Sequence, residues 1–198
     1  MSVVEHPEPR ARDDRRAEIV AAARRAFRQF GLAETTLGNI AAAAGLARPH
    51  LDRFFRDKSD LVSAVVAAET ADINARRLGA LDGVTAFADR LVRALELAVE
   101  IVHGDEYWAT LAAPGNVPYT AYAAARDPEL AASNAQFWAP LFDDALAAGE
   151  LRPDIDRDEL LTWLLGLQFM FLERREIFPE PADVGRYVRR FVLPALVP

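Results

Sequence analysis

Ile19, Ala22, Ala23, Ala26, Phe27 and Phe30 recur at intervals of three and four residues. That spacing is one face of an α-helix and predicts a helix over 14–30, stopped by Gly31. Thr36 is a natural cap for a second helix, 37–44, with Leu37, Ile40, Ala41 and Ala44 inward. Gly45 supplies a tight turn, and a short third helix follows over 47–53, with Leu51 and Phe54 inward. Asp57 can cap a fourth, long helix over 58–79, with Asp60 at its third position. Further on, Leu81-Asp82-Gly83 breaks the pattern, and 84–103 carries an apolar face of Phe87, Leu91, Leu95, Ala98 and Val102. Gly104, Pro114, Gly115 and Pro118 interrupt the next stretch. Pro128 opens a helix to about residue 149, and two more run over 158–176 and 181–195, with Pro194 marking the end of the last. No strand alternation is present, so the fold class is all-α.

Two segments depart from the simple one-sided pattern. Residues 1–13 read as a flexible basic arm, with Pro7 and Pro9 opposing a helix and Arg10, Arg12, Arg15 and Arg16 close behind. The arm either touches phosphates or is a solvated tail. Residues 158–176 are apolar on nearly all sides. A helix of that kind is buried all round, against its own domain and a partner or inside a monomer core.

Charge changes the picture next. The formal net charge is −7 over 198 residues, but residues 1–62 carry 11 basic and 9 acidic side chains, and residues 63–198 carry 12 and 21. A mildly basic head on an acidic body fits local rather than general nucleic-acid binding. There is no cysteine, which removes disulfides, thiolate catalysis and cysteine metal sites. His6, His50 and His103 are far apart, and no metal or cofactor is expected. No apolar run reaches membrane-spanning length and no apolar leader begins the chain, so a cytoplasmic protein without a membrane partner is the expectation.

The stretch RAEIVAAARRAFRQFGLAETTLGNIAAAAGLARPHLDRFFRDKSDLVSAV, residues 16–65, resembles the N-terminal head of the TetR family of transcriptional regulators. Ile19, Ala22, Ala23, Phe27, Gly31, Thr36, Ile40, Ala41, Ala44, Gly45, Leu46, Leu51, Phe55, Lys58 and Leu61 carry the resemblance, with RRFVLPAL at 189–196 as a weaker echo. It implies a helix-turn-helix DNA-binding domain over 14–60 and a helical effector-binding and dimerisation domain over 61–198. It further implies a homodimeric repressor on a palindromic double-stranded operator, released by a small molecule. The other readings are a helical dimer with degraded DNA binding that acts through ligand or protein contacts, and an enzyme. The enzyme reading has no phosphate loop, histidine–carboxylate spacing or nucleophile elbow behind it.

Residue by residue, the DNA face is expected at Thr36, Ala47, Arg48, Pro49, His50, Asp52, Arg53 and Lys58. Arg48 either reads guanine bidentately or holds phosphate. Lys58, the lone lysine, matches the family's phosphate-contacting lysine. Asp52 stands where most relatives carry a tyrosine against the DNA backbone. It pairs with Arg48 and Arg56, accepts from a cytosine amino group, or weakens binding. An effector pocket is expected around Trp108, Tyr119, Tyr122, Phe137, Trp138, Phe142, Gln168 and Phe169, favouring a hydrophobic or aromatic ligand; ordinary core is the plainer reading of each. The dimer interface is expected at Trp163, Leu164, Leu167, Phe171, Tyr187, Val188 and Phe191.

Overall fold

The computed structural model of the chain describes residues 9–111 and 127–198. Every regular element among them is helical. The chain divides into two compact units, Met1–Ala68 and Glu69–Pro198.

The first unit holds α1 (Pro9–Phe30), α2 (Leu37–Ala43) and α3 (Arg48–Leu51). Pro9 opens α1 instead of blocking it. A proline at the first helical residue forfeits an N–H that has no partner in any case. Residues 10–13 are therefore helical rather than part of an arm, and 1–8 lie outside the described residues. Ile19, Ala22, Ala23, Ala26 and Phe27 are buried as their spacing predicts. Phe30, at the end of the helix, is 55% exposed instead.

Two devices fix the loops around α2. The Thr36 hydroxyl accepts from the Asn39 amide at 3.2 Å while Asn39 Oδ1 accepts from the Thr36 amide at 3.0 Å, a reciprocal capping box. At the other end Leu46 N–H reaches Ala41 O at 2.8 Å and Gly45 N–H reaches Ala42 O at 3.0 Å. These are the two bonds of a Schellman motif, with Gly45 at φ 67° in the left-handed region. The buried Thr35 hydroxyl adds a tie the sequence did not reveal, donating to Gly31 O at 2.7 Å.

α4 (Lys58–Ala80) contains the division between the units. Its start is built by two aspartates. Asp57 Oδ1 accepts from the Asp60 amide at 2.8 Å, and Asp60 Oδ2 accepts from the Arg56 amide at 3.0 Å. Burial pulls the Asp60 carboxyl up, but the Arg56 amide and guanidinium outweigh it and hold it below its usual range. A carboxyl depressed by folding stabilises the fold above its unfolded pKa, and that contribution disappears as pH falls through the folded value. Asp57→Ala is expected to cost about 1 kcal/mol of head stability. Asp60→Asn is expected to flatten the loss of stability on acidification below about pH 4. Urea titrations at about pH 7 and pH 3 read both, on either side of the ordinary carboxylate range.

In the second unit α5 (Phe87–His103) is the strut against which α6 (Glu106–Leu111), α7 (Pro128–Ala147), α8 (Arg157–Glu173) and α9 (Pro181–Tyr187) pack. Phe87, Leu91, Leu95, Ala98 and Val102 are all buried on its inner face. Gly185 lets α9 cross α5 closely, because a Cβ there would collide with the Glu96 carboxylate and press on Val92. After α9 comes a π-helical turn, Val188–Val192, and then α10, Leu193–Leu196. The final helix thus runs through Pro194 rather than ending at it. The widened turn bonds Leu193 N–H to Val188 O, a spacing that relieves the clash and missing donor a proline brings to regular helix. No helix of the described residues is long and apolar enough to cross a membrane.

Candidate nucleic-acid interface and buried polar cluster

α3 is shorter than its predicted 47–53. Ala47 is its N-cap and Asp52 its C-cap, and residues 52–54 turn back with Phe54 N–H on Leu51 O at 2.9 Å. Leu51 and Phe55 are buried beneath it, while Phe54 is only half-buried. Ala47, Arg48, Pro49, His50, Asp52 and Arg53 are all exposed, as an outward face requires. Arg16 supports the platform from α1, its guanidinium 5.0 Å from the centre of the Phe55 ring.

Asp52 has a definite partner. Its Oδ1 accepts from Arg48 Nε at 2.9 Å. The second expected partner, Arg56, is instead engaged by Asp60, through Nη2 at 3.4 Å as well as through its amide. Asp60 captures it because it already faces the start of α4. A single surface pair of this spacing stabilises by only about 0.2–0.5 kcal/mol. Its consequence is geometric: Nε is tied, and the two terminal nitrogens of Arg48 stay available for a planar fork. Lys58 Nζ donates to Ala33 O at 3.2 Å. The Thr36 hydroxyl is committed to its capping box, although the residue is exposed.

The expected pocket residues meet only in part. Phe137 lies edge-on to Trp138 at 4.9 Å, and Trp138 stacks on Phe142 at 5.8 Å, all three buried. Trp108 is buried on α6, and Gln168 and Phe169 are half-buried on α8. Tyr119 and Tyr122 lie outside the described residues. Sequence reasoning missed the polar centre of this region. Arg77 is completely buried, with its guanidinium 3.9 Å from the Phe137 ring centre and 5.3 Å from that of Trp138. Arg77 Nε donates to Ala94 O at 3.0 Å and Nη1 to Asn74 Oδ1 at 2.9 Å. Asn74 in turn donates to Ser133 Oγ at 3.2 Å and to Asn134 Oδ1 at 3.4 Å. Among the described residues no group of three metal-ligating side chains occurs.

The expected interface residues also divide. Leu164, Phe171 and Val188 are fully buried inside the protomer, so they are core and not contact surface. Helix α8 packs against α5 and α7 with Leu164 and Phe171 turned inward, and Val188 is buried in the π-helical turn, which leaves the opposite face of α8 outside. Leu167 and Tyr187 are half-buried, Trp163 is 40% exposed and Phe191 57% exposed. An aromatic ladder runs from core to surface: Phe171 to Tyr187 at 5.5 Å, then Tyr187 to Phe191 at 5.0 Å. Ile177, just after α8, is a further exposed apolar side chain that was not foreseen.

Residues 19–65 match the model for bacterial regulatory proteins of the tetR family. The HTH-type transcriptional regulator TtgR of Pseudomonas putida is 44% identical over 63 residues, which is 31% of this chain and 30% of that protein. The match therefore spans under a third of this curated relative. A TetR-family regulator from Pectobacterium atrosepticum has the same fold, with a TM-score of 0.68 and 19% identity over 96% of this chain and 98% of its own. RolR in complex with resorcinol is similar too, with a TM-score of 0.69 and 15% identity over 96% and 90%. At these identities the structural likeness establishes the fold.

Proposed function

We propose that the chain, whose residues 19–65 match the tetR-family model, is a homodimeric, ligand-responsive transcriptional repressor of that family that reads a palindromic operator with α3. In this reading the chain acts as a DNA-binding regulator rather than as an enzyme. The observation that carries the reading is the exposed α3 face, on which Asp52 holds Arg48 by Nε alone. An arginine so oriented can offer its two terminal nitrogens to guanine O6 and N7. Lys58, Arg53 and the residues around Thr36 then supply phosphate contacts that set register.

Dimerisation is the second part of the proposal. One short helix reads few base pairs, and a two-fold dimer doubles the site. Trp163, Leu167, Tyr187 and Phe191 form the surface proposed for it. Gly166, on the same helix with no atom near its missing side chain, permits a partner helix to approach closely. In the second unit, the stacked aromatic residues suit a hydrophobic or aromatic effector, and RolR's resorcinol is a precedent in a protein of like fold.

Selection of binding sites by the purified protein from a random DNA pool tests the proposal. A two-fold symmetric consensus with guanine in each half-site is expected. Recovery of no consensus would favour the degraded binder.

A further inference from the structure

The charge on Arg77 has no counter-charge among the described residues. Its guanidinium is fully buried and meets a backbone carbonyl, an asparagine oxygen and two aromatic faces, none of them an anion. Arg77 Nη2 and the neighbouring Trp138 Nε1 are both buried donors without an acceptor among the described residues. Burial alone lowers the guanidinium to about 9, so it remains protonated at neutral pH. Glu69, the other buried ionisable side chain among them, lies eight residues back on α4, roughly 12 Å along the axis at helical rise and too far to pair. A buried charge left uncompensated is strongly unfavourable, and a trapped water can accept its hydrogen bond but brings no charge. The surroundings hold the guanidinium in place: Asn74 is itself braced by Ser133 and Asn134.

We propose that Arg77 is the anchor for an acidic effector. A carboxylate of the small molecule accepts from Arg77 Nη2, with Trp138 Nε1 as the adjacent donor, and its apolar body lies against the Phe137, Trp138 and Phe142 cluster. This rests on the effector-binding reading of the second unit and narrows its ligand class from aromatic or hydrophobic to aromatic or hydrophobic acids. Charge-assisted hydrogen bonds to a desolvated cation are the strong ones, and an anion supplies both the missing acceptor and the missing charge.

The test titrates the full-length protein, without DNA, with acids and their matched amides: benzoate and benzamide, cinnamate and cinnamamide, decanoate and decanamide. Calorimetry and the shift in unfolding midpoint are both read, since a ligand that binds only the folded state raises the midpoint. At least one acid is expected to bind and stabilise while its amide does not. Arg77→Lys keeps the charge and the helix but removes the fork, and is expected to weaken that acid about ten- to hundredfold. Trp138→Phe keeps the stack and removes one donor, and is expected to weaken the acid by a smaller factor. Equal binding of acids and amides, or an acid that binds Arg77→Lys as well as wild type, overturns the anion anchor and leaves the second unit an effector domain for neutral ligands. Binding of no acid also overturns it. The DNA-binding reading fails separately, in the site-selection experiment.

Discussion

Phe191→Asp is expected to turn the proposed dimer into monomers and to abolish operator binding while leaving the fold intact. Phe191 is 57% exposed and ends an aromatic ladder that rises through Tyr187 from the buried Phe171. Substituting so exposed a side chain removes little of the protomer's own packing, and surface changes generally stay within about 0.5 kcal/mol. In a two-fold interface the same aspartate is introduced twice, at a desolvated aromatic anchor. Central aromatic anchors are worth about 2–4 kcal/mol each. Trp163→Asp, on the neighbouring face of α8, is expected to act in the same direction. Sedimentation velocity reads the assembly and thermal unfolding reads the fold. Monomers that still unfold cooperatively, at a midpoint lowered only by the lost subunit linkage, are expected; intact dimers would move the interface elsewhere.

Arg48→Ala carries the second large effect. Loss of a bidentate guanine contact costs about 1–3 kcal/mol of discrimination at that base pair, and a dimer loses it in both half-sites. Preference at one position per half-site should vanish while the rest of the consensus survives. A residue that only held phosphate would weaken all sequences alike. Asp52→Ala separates the roles of the acid. Since Asp52 ties Arg48 Nε, its removal is expected to strengthen binding to nonspecific DNA and to relax the preference that Arg48 imposes. The double variant should then add little to Arg48→Ala, because neighbours acting as a unit are not additive. Full additivity in a binding assay would show that Asp52 works independently of Arg48.

The head was legible because its devices are local. Thr36 before an apolar run, Gly45 after one, and Asp57 with Asp60 at a helix start each act over three to five residues. The structure places all of them as the spacing predicts. Errors arose where one local rule competed with another. Pro9 and Pro194 were read as breakers, yet one occupies the first residue of α1 and the other follows a π-helical turn. The body was less legible because burial there is decided by distant elements. Leu164 and Phe171 share a helix with Trp163 and match it in hydrophobicity, but only packing against α5 and α7 shows which of them face the core. Arg77 gave no signal at all. Nothing in its neighbours' sequence distinguishes it from the chain's other arginines, and only Phe137 and Trp138, some sixty residues on, make it a buried cation.

The most direct measurement is fluorescence anisotropy of labelled DNA from the region flanking the protein's own gene, against a scrambled duplex, over a series of salt concentrations. The account predicts tight, selective binding that falls steeply with salt, the logarithmic slope steepening by about 0.9 for each phosphate contact. Weak binding, equal on both duplexes and unimproved by Asp52→Tyr, would contradict it.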